Sequence, residues 1–530
     1  MQKQNIITEG LAQIQKSYTV VENGKTFQSE VFYNPVQIFN RDLTILVIKL
    51  FTNYLKEQYK EKFIGVNILD ALSASGLRAI RYLKELQDVQ KVTANDISEA
   101  SHRLMMDNFL LNNLDLKKIE MTKQDALELM YIKRFTTQNY DDRFHVIDID
   151  PYGTAAPFID AAIQASLDDT LLCVTSTDSR ILCGPDTQKC YYLYGSSRAK
   201  VTAYQENAIR ILLYTINNVA NKYGKSIRPL ICYLTEFYVR VFLLVKTSKQ
   251  ECGKSLLKHG YAYYCELCSN YSYQTFGKQQ TKNENKCVPA KVQIEQNVCD
   301  QCGEQFIING PIWLDQLNDY DFVKKASSFL EQDEEGLNLA TKKKIQGMLY
   351  GIEQEFEKQV HKIPLGFHME HISKLMKCPV PNKKAIFSAL QSLGYQIEQS
   401  YINHQIFKTN ATSQVFFDII RSWVIHNYNF LVLFLKKEIN LNQKKKKKSK
   451  QTNEEEYFRH FEKEQPNYKL IIKTTNCNPN FNINIQFNNK FTKWPQNPKN
   501  WGPGKKAVVK KALDQNDQNI QEENIHLMNK

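Results

Sequence analysis

The sequence predicts an α/β fold: a mostly parallel sheet interleaved with helices, then a cysteine-rich insertion, then a smaller α+β region. Three observations carry this. Over 64–250, short apolar runs alternate with stretches of helical apolar spacing, the pattern of βαβ units. Over 252–310 the composition turns to Cys, Asn, Gln and Lys with little periodicity. Over 311–430 amphipathic helical spacing returns. At 530 residues the chain is too long for one core.

The strands are expected at Val66–Asp70, Val92–Asp96, Ile119–Thr122, His145–Asp150 and Leu171–Thr175, with helices between them over Leu77–Leu86 and Glu99–Leu111. Ile231–Glu236 and Tyr238–Val245, one residue apart, read as an antiparallel hairpin that ends the sheet. Further on, helices are expected around Lys343–Phe356, Met369–Met376 and Lys383–Leu393. Lys444–Lys448 are five consecutive lysines inside a polar stretch that cannot bury a core. Beyond Thr475 the chain is rich in Asn, Pro and Lys and reads as irregular. The expected division is therefore 1–250, 251–310, 311–430 and a Lys-rich, largely disordered tail over 431–530.

The formal net charge is +13. Such a surplus suits a polyanionic partner such as nucleic acid, although a Lys-rich proteome produces it too. No run of about 18 apolar residues occurs, so no membrane span is expected. The start, Met1–Asn5, lacks the apolar core of a secretory signal. The twelve cysteines are then expected in a reducing compartment, where paired cysteines point to metal rather than to disulfides.

The first strand runs into Asp70-Ala71-Leu72-Ser73-Ala74-Ser75-Gly76-Leu77-Arg78. Small residues at 73–76 let a backbone turn approach a ligand closely. The second strand ends in Asn95-Asp96, where doubly wound folds hold ribose hydroxyls. Gln124-Asp125-Ala126 follows the third, and an acid there can accept from an adenine amine. With no GxGxxG the glycine signal alone is weak. Acids at 70, 96 and 125, all on the carboxyl edge, strengthen it. No Lys-Ser/Thr pair follows the turn, so a nucleoside cofactor is favoured over ATP.

Asp150-Pro151-Tyr152-Gly153 closes the fourth strand. The tetrapeptide is good chemistry for a plain turn. At the edge of a cofactor-binding sheet it also suits methylation of an exocyclic amine. A carboxylate that accepts the amine N–H draws the lone pair toward a methyl sulfonium and can take the proton. The Pro151 carbonyl can accept a second N–H, and Tyr152 can stack on the base. Asp148 shares a parity with Asp150 and so faces the same side of the strand. Asp150 is preferred because it sits at the edge.

Cys265-Glu266-Leu267-Cys268 and Cys299-Asp300-Gln301-Cys302 are two CxxC pairs. Two such turns complete a tetrahedral four-cysteine zinc site. The 30 residues between them exceed the usual ribbon spacing, and Cys287 between them is a possible substitute ligand. His368 and His371 have metal-ligand spacing but no partner cluster, and read as surface helix residues.

These motifs resemble the tRNA (guanine-26-N2)-dimethyltransferases. The resemblance rests on Val31-Phe32-Tyr33-Asn34-Pro35, Asn40-Arg41-Asp42, the 70–78 turn, Asp150-Pro151-Tyr152-Gly153, Ser176-Thr177-Asp178, Tyr194-Gly195-Ser196 and Gly310-Pro311-Ile312-Trp313, in family order over roughly 5–430. It implies a Rossmann-like class I methyltransferase domain, a zinc insertion and a winged-helix-like C-terminal domain. It implies transfer of one or two methyls from S-adenosylmethionine to guanine N2 of tRNA. It places Arg41, Arg78, Asp96, Asp125 and Ala126 at cofactor positions, Asp150 at the catalytic acid, and Phe32 at an aromatic opposite Pro151 and Tyr152 that holds the base. Asn500–Lys506 resembles a terminal element of the family. Lys444–Lys450 reads as a nuclear signal, an RNA contact or a solvated linker, in that order. A nuclear monomer is expected, with a mitochondrial form possible. Two other readings stay open at this point: amino methylation of another base, such as adenine N6 in DNA, and a non-catalytic RNA scaffold.

Overall fold

A computed structural model describes residues 6–15, 17–22, 25–30, 33–136, 143–235, 237–281, 283–293, 297–332, 336–439, 468–473, 475, 477–487, 490–494 and 509–510. The chain opens with two hairpins, β1 (Ile6–Glu9) with β2 (Ala12–Gln15) and β3 (Ser17–Glu22) with β4 (Lys25–Glu30). Helix α1 (Ile38–Tyr59) follows.

Then strand and helix alternate: β5 (Val66–Asp70), α2 (Leu77–Glu85), β6 (Val89–Asn95), α3 (Glu99–Leu111), β7 (Ile119–Thr122), α4 (Ala126–Thr136), β8 (Phe144–Ile149), α5 (Ile159–Ala165) and β9 (Ser166–Ser176). Short α6 (Ser179–Leu182) and α7 (Thr187–Tyr194) lead to α8 (Tyr204–Lys222) and the closing hairpin β10 (Lys225–Thr235) and β11 (Tyr238–Thr247). The sheet has seven strands in the order β10-β11-β9-β8-β5-β6-β7. β5 to β9 pair in parallel, and β11 is antiparallel to both its neighbours. Every residue of β5 is buried, as a parallel strand covered on both faces requires. The strand order reverses beside β5, so the crevice at the carboxyl ends of β5 and β8 is where such sheets bind ligands.

The turn after β5 needs one glycine. Gly76 has φ +78°, and a Cβ there would lie 2.9 Å from the Phe109 ring. Its absence lets α2 close on α3.

The insertion begins after α9 (Lys249–Gly253). Its sheet is β13 (Tyr271–Thr275), β12 (His259–Tyr264) and β16 (Ile307–Trp313), in that order, with β14 (Gly277–Gln280) and β15 (Asn283–Pro289) pairing beside it. Helices α10 (Tyr320–Gln332) and α11 (Lys342–Glu357) follow. Then come β17 (Phe367–His368), α12 (Met369–Leu375), α13 (Lys383–Ser392), β18 (Ile397–Gln399) and β19 (Ile406–Thr409), two helices and a three-stranded sheet in the arrangement of a winged helix. α14 (Ser413–Ile439) closes this region. α15 (Tyr468–Ile472) buries Leu470 and Ile471. The stretch 477–487 has no regular element, yet Phe487 packs edge-on against Phe387 of α13. β20 (Val509–Lys510) pairs with β4. The Lys444–Lys450 run and Asn500–Lys506 lie outside the described residues.

A buried ion cluster joins the C-terminal region to the sheet domain. Lys408 of β19 reaches Glu206 of α8 at 2.9 Å and Glu355 of α11 at 3.2 Å. Burial raises the Glu355 carboxyl, only partly offset by Lys408. Glu206 also pairs with Arg210 and accepts from the Leu365 N–H.

Candidate active site

The carboxyl ends of β5 and β8 open into a cleft lined by Tyr33, Asn34, Arg41, Leu72–Ser75, Arg78, Asp150, Pro151, Tyr152, Thr177 and Phe237. Five of the residues expected from the sequence therefore meet in one place: Arg41, Arg78, Asp150, Pro151 and Tyr152. Phe32 lies outside the described residues; its neighbour Tyr33 is on the cleft wall.

Asp150 is held on one side only. Arg78 of α2 donates to its Oδ2 through Nε at 3.1 Å and through Nη2. Among the described residues Oδ1 accepts nothing. Arg78 is itself braced by Asp148, whose Oδ2 lies 3.4 Å from Nη1. Asp148 is buried and accepts further from Arg240 of β11 at 2.7 Å and from the Tyr82 hydroxyl. Burial alone would raise the Asp148 carboxyl. The guanidinium groups of Arg240 and Arg78 outweigh it and hold the carboxyl below its ordinary range. The parity argument is thus resolved by depth: Asp148 is an internal brace and Asp150 faces the cleft.

The other acids take separate positions. Asp70 is 1% exposed beneath the turn. Burial, then the charge of Asp148, pushes its carboxyl up to about 7. Among the described residues its Oδ2 has no hydrogen-bond partner. Asp96 accepts from the Ala74 N–H at 3.0 Å, so it faces the turn from the end of β6. Asp125 is exposed and accepts from the Leu127 N–H at the start of α4, with Ala126 buried behind it. Neither lines the cleft described above. Asn95 ties these loops together through the Ala71 and Gln124 carbonyls and the Thr122 hydroxyl.

Arg41 makes a two-pronged pair with Glu9, 2.6 Å on each arm. Burial would raise Glu9, but Arg41 and Arg81 more than offset it and keep it ionised. Glu9, Tyr82 and Arg240 were not among the residues singled out from the sequence. Arg240 carried a signal, a charge inside the apolar run Tyr238–Val245; Glu9 carried none.

The four cysteines converge. The Sγ atoms of Cys265, Cys268, Cys299 and Cys302 all lie within 4.8 Å of one another, and all four residues are buried. None is in a disulfide. Cys287 sits apart on β15. The C-terminal region clasps both knuckles. His371 hydrogen-bonds the Leu267 carbonyl at 3.2 Å, Arg421 donates to Gln301 at 2.8 Å, and Lys473 donates to the Asp300 carbonyl. His368 caps α12 by accepting from the His371 N–H. His371 therefore docks the first knuckle, and His368 holds the start of its helix.

Known proteins match this architecture over most of its length. The family model described as "N2,N2-dimethylguanosine tRNA methyltransferase" matches residues 11–421. A tRNA (guanine(26)-N(2))-dimethyltransferase of Schizosaccharomyces pombe is 34% identical over 75% of this chain and 78% of its own. A relative from Saccharomyces cerevisiae, named as mitochondrial, is 30% identical over 77% of this chain and 80% of its own. The solved structure of Trm1 from Pyrococcus horikoshii with S-adenosyl-L-methionine superposes with a TM-score of 0.62 at 27% identity, covering 78% of this chain and 99% of that one. Taken with the cleft between β5 and β8, these matches show that the chain belongs to the N2,N2-dimethylguanosine tRNA methyltransferase family.

Proposed function

We propose that this protein transfers one or two methyl groups from S-adenosylmethionine to N2 of guanine at position 26 of tRNA. The observation that carries the reading is Asp150 at the cleft. Arg78 occupies its Oδ2 and leaves Oδ1 as the open acceptor. A guanine amine needs such an acceptor: the carboxylate takes an N–H, polarises the nitrogen and receives its proton. Pro151 is buried and Tyr152 is half exposed on the same wall, as a backbone acceptor and a stacking ring require. A base buried in a helix must leave its stack to reach Asp150.

The residues present fit the cofactor. The turn at 73–75, Asp96 at the end of β6 and two guanidinium groups in the cleft supply a close backbone, a ribose acceptor and carboxylate donors. When bound, S-adenosylmethionine supplies an electrophilic methyl on sulfonium. Arg41 and Arg78 hold the carboxylate end, Asp96 the ribose hydroxyls, and Asp125 with Ala126 the adenine. Asp70 backs the turn from beneath. Glu9 orients Arg41.

We infer that the four thiolates hold a structural zinc ion, supported by their mutual distances and burial. One zinc per chain is expected by elemental analysis. Removing it with a chelator should abolish amide protection over β12 and β16 and loosen α12 and α14, read by hydrogen exchange. A metal-free protein with full protection would refute the site.

We further propose the division 1–250 catalytic, 251–310 zinc module, 311–430 tRNA-binding and 431–530 tail. The protein acts as a nuclear monomer, and the Lys444–Lys450 run supports nuclear import. Among the described residues no helix is long and apolar enough to cross a membrane. The deciding experiment is nucleoside mass spectrometry of tRNA after incubation with the protein and labelled S-adenosylmethionine. Label in N2-methylguanosine and N2,N2-dimethylguanosine at position 26 is expected; label on another base or atom would overturn the reading.

A further inference from the structure

Helix α7 presents two aromatic rings to solvent beside the cleft. Tyr191 is 62% exposed and Tyr192 68%. Large rings that stay so exposed on neighbouring positions call for an explanation, whereas a single one would not. The helix is not loose. Its inner face carries Cys190 and Tyr194, one turn apart and both buried. The Tyr194 hydroxyl lies 2.7 Å from Thr154 Oγ1, 2.9 Å from Ser176 Oγ and 2.8 Å from Asp178 Oδ2. Ser176 ends β9, and Thr154 and Asp178 belong to the loops after β8 and β9, the same loops that put Asp150, Tyr152 and Thr177 on the cleft wall. The Thr215 hydroxyl bonds the Tyr194 carbonyl and pins the helix end to α8.

The rings are thus mounted rigidly on the frame of the cleft. On the far side, the segment after α7 runs to the four-cysteine module. Ser197 pairs with Gly310 of β16, the Lys200 N–H donates to the Glu266 carboxylate at 3.2 Å, and Tyr264 bonds Thr202. The segment from α7 to Thr202 is therefore tethered to the loops of the cleft at one end and to the first knuckle at the other. The exposed charged side chains over 179–200 are basic: Arg180, Lys189 and Lys200. Lys189 lies one turn before Tyr192, on the same face. Asp186 caps the helix and Glu266 faces Lys200, so acids sit at the two ends and not on the ring-bearing face.

We propose that Tyr191 and Tyr192 form a stacking ledge for the tRNA nucleotides that adjoin the target guanine. The inference rests on the tRNA reading above and adds the surface that holds the rest of the disturbed helix. Extruding one base leaves its neighbours unstacked, and aromatic faces beside basic side chains receive such bases without sequence preference. Lys189 and Arg180 take the adjoining phosphates.

The test uses the full-length protein with Tyr191→Ala/Tyr192→Ala and Tyr191→Phe/Tyr192→Phe, and two readouts: direct tRNA binding and steady-state methylation. Loss of both rings should weaken tRNA binding and raise the KM for tRNA by roughly tenfold or more. The KM for S-adenosylmethionine and the thermal midpoint should not move. The phenylalanine pair, which keeps the stacking face, should stay within about threefold of wild type. Unchanged tRNA binding in the alanine pair overturns the proposal, and so does an equal loss in the phenylalanine pair. If the wild-type protein binds tRNA but methylates no guanine N2, the functional reading fails while the binding comparison still decides the ledge. If it does not bind tRNA, both fail.

Discussion

Asp150→Asn should reduce the rate of methyl transfer by about 10²- to 10⁴-fold, the range that a positioned proton acceptor contributes. Arg78 donates to Oδ2 through two nitrogens, so in the variant the amide oxygen is drawn to the guanidinium. Its NH₂ then replaces the open Oδ1 and presents donors to an amine that is itself a donor. The chemistry fails, whereas the cleft keeps its shape and its stacking ring. Affinities for tRNA and for S-adenosylmethionine should therefore stay near the wild-type values. Single-turnover transfer from labelled cofactor, with tRNA binding measured separately, reads the two effects apart. A variant within tenfold of the wild-type rate would remove Asp150 from its assigned role.

Asp148→Ala should cost about 3–5 kcal/mol of stability, because it strands a buried cation. Arg240 is 0% exposed, and its guanidinium is shared among Asp148, Thr175 and Thr44. Without Asp148 no carboxylate touches it among the described residues. The Tyr82 hydroxyl loses its acceptor as well. The double variant Asp148→Ala/Arg240→Met, which removes both charges, should recover most of the loss. Urea unfolding of the wild type, both single variants and the double variant completes the cycle. A single variant as stable as wild type would show that the pair carries no net load.

The strands were legible because a parallel sheet covered on both faces needs mostly apolar runs, and Val66–Asp70 and Leu171–Thr175 are such runs. The four-cysteine cluster was legible because CxxC brings two thiols onto one turn whatever the rest of the chain does, and the fold then closes the 30-residue gap between the pairs. The placement of Asp150 at the cleft was legible from its position at the end of the strand. Asp148, two residues earlier, shares its parity, and only depth separates the roles. Glu9 was illegible: its carboxylate matters through Arg41, 32 residues away on another element, and no local pattern announces such a pair. His371 shows the reverse case. Its spacing from His368 imitates a metal pair, but the fold turns it to a backbone carbonyl of the first knuckle.

Arg78 has a thermodynamic consequence. It stands on the helix that opens from the turn after β5, yet its guanidinium grips the Asp150 carboxylate, the group that the proposed reaction offers to the base. One side chain is thus common to two binding equilibria. Whatever the donor's carboxylate does to that guanidinium alters the acceptor offered to the base, and the base returns the influence by the same factor. Calorimetric titrations in both orders, tRNA with and without cofactor and cofactor with and without tRNA, should give equal coupling factors different from one in the wild type, and independent binding in Arg78→Met. Independence in the wild type would mean that the two ligands meet at Asp150 without sensing each other.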